Sequence, residues 1–221
     1  MRLRLYSSLA ILALSVGVLH AQSVTVAPGL TIPSGSLPWA LDQFEGKTQL
    51  VPIHHSTVEV NNHKGANVAG SMAGSFFYKP KMTTELAGLH ARTVLHDPKA
   101  TIYLLLRDQD PDGGGDGATS NTATWVLVKA SLTKERRIFA KVQFTQLTGN
   151  AKRADGVVET TAETLPGGWL KLTPRTALEP GEYAVTPMFK VQNTFSTVVY
   201  DFTLDPTGRN VADAVLPSPA P

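Results

Sequence analysis

The chain has 221 residues, with 20 Lys and Arg against 18 Asp and Glu. It contains no cysteine, which excludes thiol catalysis, iron–sulfur clusters, cysteine-type zinc sites and disulfide staples. Its length is enough for a core that holds the fold without cross-links.

Residues 1–21, MRLRLYSSLAILALSVGVLHA, read as a signal peptide. Arg2 and Arg4 form a positive start, LAILALSVGV an apolar core, and Ala21 precedes Gln22 at a plausible cleavage point. An uncleaved anchor is the alternative, but the apolar run falls short of the roughly 20 residues a spanning helix needs. Removing Arg2 and Arg4 leaves 18 basic against 18 acidic residues. A neutral mature chain has no bulk attraction to nucleic acid or anionic lipid. The expected location is periplasmic or secreted, with no membrane span after cleavage.

Residues 22–47 read as an extended lead segment, because Pro28, Pro33 and Pro38 break any long helix. Within it WALDQFEG suggests one helical turn, with Trp39 and Phe44 pinning the arm to the domain. From Thr48 onward the dominant signal is period two. In RIFAKVQF, the alternation places Ile138, Ala140, Val142 and Phe144 on one face. In STVVYDFTL, it separates Val198, Tyr200, Phe202 and Leu204 from Val199, Asp201 and Thr203. TIYLLLR (101–107) and WVLVKASL (125–132) are apolar enough for central strands. Turn signals such as NNHKG, LPGG and EPGE separate these and further strand candidates. KERR at Lys134–Arg137 reads as a charged turn. Many short strands with regular turns predict an all-β, immunoglobulin-like antiparallel β-sandwich over residues 48–205. Residues 206–221 carry four prolines and few large apolar groups, and read as a disordered tail.

LTPRTALEPGEYAV carries the most specific structural signal. Leu178, Pro180, Gly181 and Tyr183 form a tight turn into a strand that begins with tyrosine. Immunoglobulin-like sandwiches use such a tyrosine at a corner, its hydroxyl bonded to nearby backbone. Glu182 beside it is expected to face solvent. AGLHAR (87–92), HDPKATIY (96–103) and L-x-P-G-E-Y…V-Y-D-F (178–202), together with the signal peptide, resemble uncharacterised secreted bacterial proteins of acidobacterial type. The resemblance spans most of residues 40–205. It implies a β-sandwich and export, and no activity, ligand or catalytic residue.

DQDPDGGGDG offers the clearest metal candidate. Asp108, Asp110 and Asp112 alternate, Gly113 follows, and Asp116 comes three residues later, which is the early spacing of a calcium loop. The twelfth position is Thr119 rather than a bidentate carboxylate, so any calcium site would be weak. The competing reading is a charged hairpin tip joining two apolar strands. His54, His55, His63, His90 and His96 suggest a second candidate. Adjacent His54 and His55 point to opposite faces of a strand, and H-E-x-x-H is absent. GSMAGSF (70–76) does not match G-x-S-x-G, and its small residues favour close strand packing. Glu59, Glu85, Glu159 and Glu163 are explained by exposed strand faces.

These readings converge on an exported, non-catalytic binding or envelope-associated module with a protein or glycan partner and no cofactor. Its contact surface is expected in the loops at 108–122 and 148–156. A metal-dependent hydrolase using His90, His96 and one of His54 or His55 is the first alternative. A calcium-stabilised structural module is the second.

Overall fold

The computed structural model describes residues 24–62, 81–106, 123–144, 151–152, 156–189 and 194–218. Its strands are β1 (Thr25–Ala27), β2 (Leu30–Thr31), β3 (Trp39–Phe44), β4 (Lys47–Pro52), β5 (His55–Ser56), β6 (Glu59–Asn61) and β7 (Lys81–Ala87). They continue with β8 (Thr93–Leu95), β9 (Thr101–Leu105), β10 (Ala123–Lys129), β11 (Ser131–Leu132), β12 (Arg136–Phe144) and β13 (Ala151–Lys152). The last are β14 (Val157–Val158), β15 (Thr160–Leu165), β16 (Trp169–Pro174), β17 (Gly181–Phe189), β18 (Thr194–Phe195) and β19 (Val199–Leu204). One 3-10 turn, Pro166–Gly168, links β15 to β16.

The protein is an all-β sandwich of stacked, mainly antiparallel sheets. The first sheet runs β15-β16-β9-β3-β4, and the middle sheet β14-β10-β17-β19-β5. In the middle sheet β18 joins β17, and β8 pairs with β19 in parallel. The third sheet runs β11-β12-β7-β6, with β13 on β12. A separate hairpin pairs β1 with β2.

Side-chain alternation explains the stacking. Ala40, Val51, Ile53, Ile102, Leu104 and Leu172 of the first sheet meet Leu127, Tyr183, Val185, Phe202 and Leu204 of the middle sheet. The other face of the middle sheet offers Val126, Val128, Ala184 and Val199 to Leu86 and Phe139 of the third. On the outer face of the first sheet, Trp39, Leu50, Tyr103 and Trp169 are covered by Leu30 and Ile32 beside β1–β2 and by Val215. The central strands β10, β17 and β19 of the middle sheet are therefore covered on both faces. Burial of this apolar area, at about 25 cal/mol per Å², is the main cohesive term in a chain without disulfides.

Several expectations change. WALDQF is strand β3 rather than a helical turn, because its residues pair one for one with β4 from Trp39–Pro52 to Phe44–Lys47. Glu45 (φ 49°) and Gly46 (φ 76°) make the two-residue turn between them, the left-handed pair that matches strand twist. The boundary expected after residue 47 thus cuts through a hairpin of the first sheet. Residues 206–218 are not a loose tail: Leu50 and Val215 exchange backbone hydrogen bonds of 2.9 and 2.7 Å, and Ser218 N donates to Gly29 O at 2.9 Å. Prolines in this segment end pairing without preventing contact.

The strands flanking the Asp-rich loop do not form a hairpin. β9 pairs with β16 and β3, whereas β10 pairs with β14 and β17, so the connection crosses from one sheet to another. In β12 a bulge between Ile138 and Ala140 breaks the simple alternation. Arg137 and Phe139 are the buried residues there, and Arg136 and Arg137 begin the strand rather than ending a turn.

Candidate functional site

Three groups of polar side chains stand out, and each is placed by strand register. The first lies at the edge of the apolar layer between the first and middle sheets. Asp42 on β3 is opposite Gln49 on β4. Both are fully buried, as is His96 just beyond β8. Asp42 Oδ1 accepts the backbone N–H groups of His96 (2.8 Å) and Asp97 (2.7 Å). Its Oδ2 accepts Gln49 Nε2 (3.1 Å) and His96 Nδ1 (2.9 Å). An ionised carboxylate only accepts, so Nδ1 carries the proton. The other ring nitrogen, Nε2, has no hydrogen-bond partner among the described residues. Phe44 packs on the ring with centroids 4.6 Å apart. A carboxylate on Nδ1 orients an imidazole as general bases and metal-binding histidines require. Here the side chain is only 3% exposed, so a substrate in solvent cannot reach Nε2 in this arrangement.

The second group lies between the middle and third sheets. Arg137 pairs with Asp201, reaches Glu182 at 3.4 Å, and donates to Ala87 O and Gly88 O at 3.2 Å each. Glu182 also accepts Ala91 N (3.0 Å), Thr203 Oγ1 (2.8 Å) and His90 Nδ1 (3.0 Å). Glu182, Asp201 and Arg137 are all nearly fully buried, whereas the His90 side chain is 74% exposed. Two carboxylates thus face one guanidinium, with a histidine at the solvent edge. The expectation that Glu182 faces water fails because the third sheet covers this side of β17. Glu85 is likewise buried, held by Thr83 and Asn61 and 3.6 Å from Arg136. Glu59 pairs with Arg136 and Glu163 with Lys171 at the surface, as exposed faces require, and Glu159 is exposed.

The described histidines, His54, His55, His90 and His96, do not converge. His54 Nε2 contacts Asp213 at 2.8 Å, His90 contacts Glu182 and His96 contacts Asp42. His55 packs edge-on against Tyr200 with centroids 5.6 Å apart. Among the described residues no group of three or more His, Asp or Glu is placed to hold a metal ion. Asp108, Asp110, Asp112 and Asp116, His63 and the segment 70–76 lie outside the described residues, as do most of the loops 108–122 and 148–156. Tyr183 takes the expected corner role: its hydroxyl donates to Glu179 O at 2.7 Å. Burial pushes that phenol above its usual range, partly opposed by the nearby Lys129.

The third group lines open clefts on the outer face of the first sheet. One, of about 450 Å³, lies between Val24–Val26, Leu165–Pro166 and the cross-strand pair Tyr103 and Lys171. Another of about 450 Å³ lies beside Ala27–Pro28, Lys47–Thr48 and Leu216–Pro217. Neither is lined by His96. No helix among the described residues is long and apolar enough to cross a membrane.

No family model matches this sequence, and no curated protein or solved structure matches it. Asp42, Gln49, Arg137 and Asp201 are the site residues that sequence reading misses. The available signal was a charged residue inside an otherwise apolar strand, as Asp42 is in WALDQF and Asp201 in VVYDFTL.

Proposed function

We propose that this chain is an exported, non-catalytic β-sandwich that serves as a binding or envelope-associated module in the periplasm or outside the cell. The export reading rests on the leader-like residues 1–21, and the immunoglobulin-like reading on the Tyr183 corner. The observation that carries the binding role is the open cleft between Val24–Val26 and the Tyr103–Lys171 pair. It sets the Lys171–Glu163 ion pair and the short strand β1 on a rigid sheet beside Tyr103, which is only 4% exposed, so charge and backbone edge rather than an aromatic face are what it offers a glycan or an extended peptide. The paired state of His54, His90 and His96, each with its own carboxylate, favours structural over catalytic roles for them.

A panel of glycans and peptides, read by thermal shift and titration fluorescence, tests the proposal. At least one should raise the melting temperature, and Lys171→Ala should remove that rise while leaving the free protein's melting temperature within about 2 °C, as expected for a surface change. Stoichiometric transition metal in untagged protein, or a ligand response indifferent to Lys171→Ala, would overturn it.

A further inference from the structure

β4 is the last strand of the first sheet, and its outer edge is met at one isolated bridge, Leu50–Val215, by the chain's own segment 210–218, which turns at Ala212–Asp213. Three contacts hold this segment. Gln49 and Asn210 exchange side-chain amide hydrogen bonds of 2.8 and 2.9 Å, Gln49 being fully buried. Asp213 meets His54 Nε2 at 2.8 Å. Val215 pairs with Leu50 through both backbone hydrogen bonds and packs its side chain with the outer apolar cluster.

The pairing then stops for a chemical reason. Leu50 directs its N–H and C=O outward, so Thr48, two residues away, directs its own to the same edge. Antiparallel register from the Leu50–Val215 bridge puts Thr48 opposite Pro217. Pro217 has no N–H to give, and on the other side of the bridge Pro52 of β4 has none either and its carbonyl accepts Thr93 Oγ1, so the bridge remains isolated. The second cleft opens at that point, lined by Thr48, Lys47 and Pro217. Beyond it Ser218 N reaches Gly29 O, and a Cβ at Gly29 would stand 2.6 Å from Ser218 O.

We infer that the β4 edge is a docking track for an extended peptide, held shut by residues 210–218 as an internal, proline-weakened occupant. The inference rests on the binding-module reading and names a partner chemistry for it. The matching peptide is extended along β4 with a β-branched residue opposite Leu50, as Val215 is; Asn210 and Asp213 reach their partners around the turn at Ala212–Asp213 and are no part of that match. Unlike the internal segment, it has a residue other than proline at the position of Pro217. It therefore adds a hydrogen bond to Thr48 O that the internal occupant cannot make, which is the usual source of affinity in strand addition.

Two labelled peptides test this by fluorescence anisotropy: residues 208–218, GRNVADAVLPS, and the same peptide with Pro217→Thr. The partner is the full chain, either unaltered or with Asp213→Ala, which loosens the internal segment at a half-exposed residue. The Pro217→Thr peptide should bind about fivefold to tenfold more tightly than the native one, one ladder hydrogen bond being worth about 1 kcal/mol. Both should bind Asp213→Ala protein more tightly than unaltered protein. Full-length Pro217→Thr protein should bind both less well, because its own segment now completes the ladder. If Asp213→Ala lowers the melting temperature sharply, Ser218→Pro replaces it, since at an exposed residue it removes the N–H that Ser218 gives to Gly29 O. Equal affinity for the two peptides, or equal binding to closed and loosened protein, would overturn the inference. A glycan or peptide response that depends on Lys171 would survive that failure, so the two readings fall separately.

Discussion

The middle sheet has two buried faces, each with an apolar cluster, and only the face toward the third sheet also holds the Arg137 charge cluster. Toward the first sheet it turns Tyr183, Val185, Phe202 and Leu204, all apolar apart from one hydroxyl at the rim. Toward the third sheet the same two strands turn Glu182, Ala184, Asp201 and Thr203, and meet Arg137. The first face obtains cohesion from area alone, which is non-directional and tolerates small slips. The second must place one guanidinium against two carboxylates and two backbone carbonyls, so it admits a single register. Buried charge adds little net stability but penalises every mispaired arrangement. Both layers supply apolar cohesion, the second through Leu86, Val126, Val128, Phe139, Ala184 and Val199; the buried charges add to the second layer a set of contacts that ties together β12, β17, β19 and the 88–92 turn.

The sharpest way to break that contrast is to remove one large group from each face. Phe202→Ala leaves a cavity in the apolar layer and should cost about 3–5 kcal/mol in denaturant unfolding, with no second substitution among charged residues restoring it. Arg137→Met should cost about 3 kcal/mol, at the lower end for a broken buried pair because the cluster reaches solvent at His90. Adding Asp201→Asn and Glu182→Gln to Arg137→Met should recover at least half of the loss, since no unpaired charge then remains. A cost for Arg137→Met below about 1 kcal/mol would mean the cluster is hydrated, and the distinction between the faces would collapse.

The apolar face was legible in sequence and the charged one was not, for a physical reason. Alternation in VVYDFTL marks Phe202 and Leu204 as inward, and L-x-P-G-E-Y announces the Tyr183 corner. The same rule sends Asp201, Thr203 and Glu182 to solvent, because it assumes that a sandwich has one wet side per sheet. A third sheet buries that side, and nothing local in β17 or β19 signals its presence. Asp42 was missed through a different ambiguity: WALDQF is short enough for either a helical turn or a strand, and only pairing with β4 decides. The segment 206–218 looked too polar and proline-rich to order, yet it is held by one backbone bridge, by side-chain amides and by Val211, Ala214 and Val215 packed on the two apolar clusters.

The smallest effect probes the rim of the apolar face, where Tyr183 gives its hydroxyl to Glu179 O. Tyr183→Phe removes one hydrogen bond from a phenol that is otherwise stacked on Phe202, and should cost about 1 kcal/mol at neutral pH. Burial raises the Tyr183 phenol above its ordinary value, and burial also raises Tyr103 on the outer face of the first sheet. A proton held more tightly in the folded than in the unfolded chain stabilises the fold fully below the unfolded tyrosine value of about 10. That contribution is lost as pH climbs through the raised folded value, because the unfolded chain has by then released its proton. Unfolding free energy measured from pH 8 to 11.5 should therefore fall above about pH 10, and the fall should be shallower in Tyr183→Phe. The same titration on Arg137→Met should keep the full alkaline slope, because the guanidinium face carries no tyrosine among the described buried residues. An alkaline slope unchanged by Tyr183→Phe would place the titrating phenol elsewhere and leave the corner as a purely geometric device.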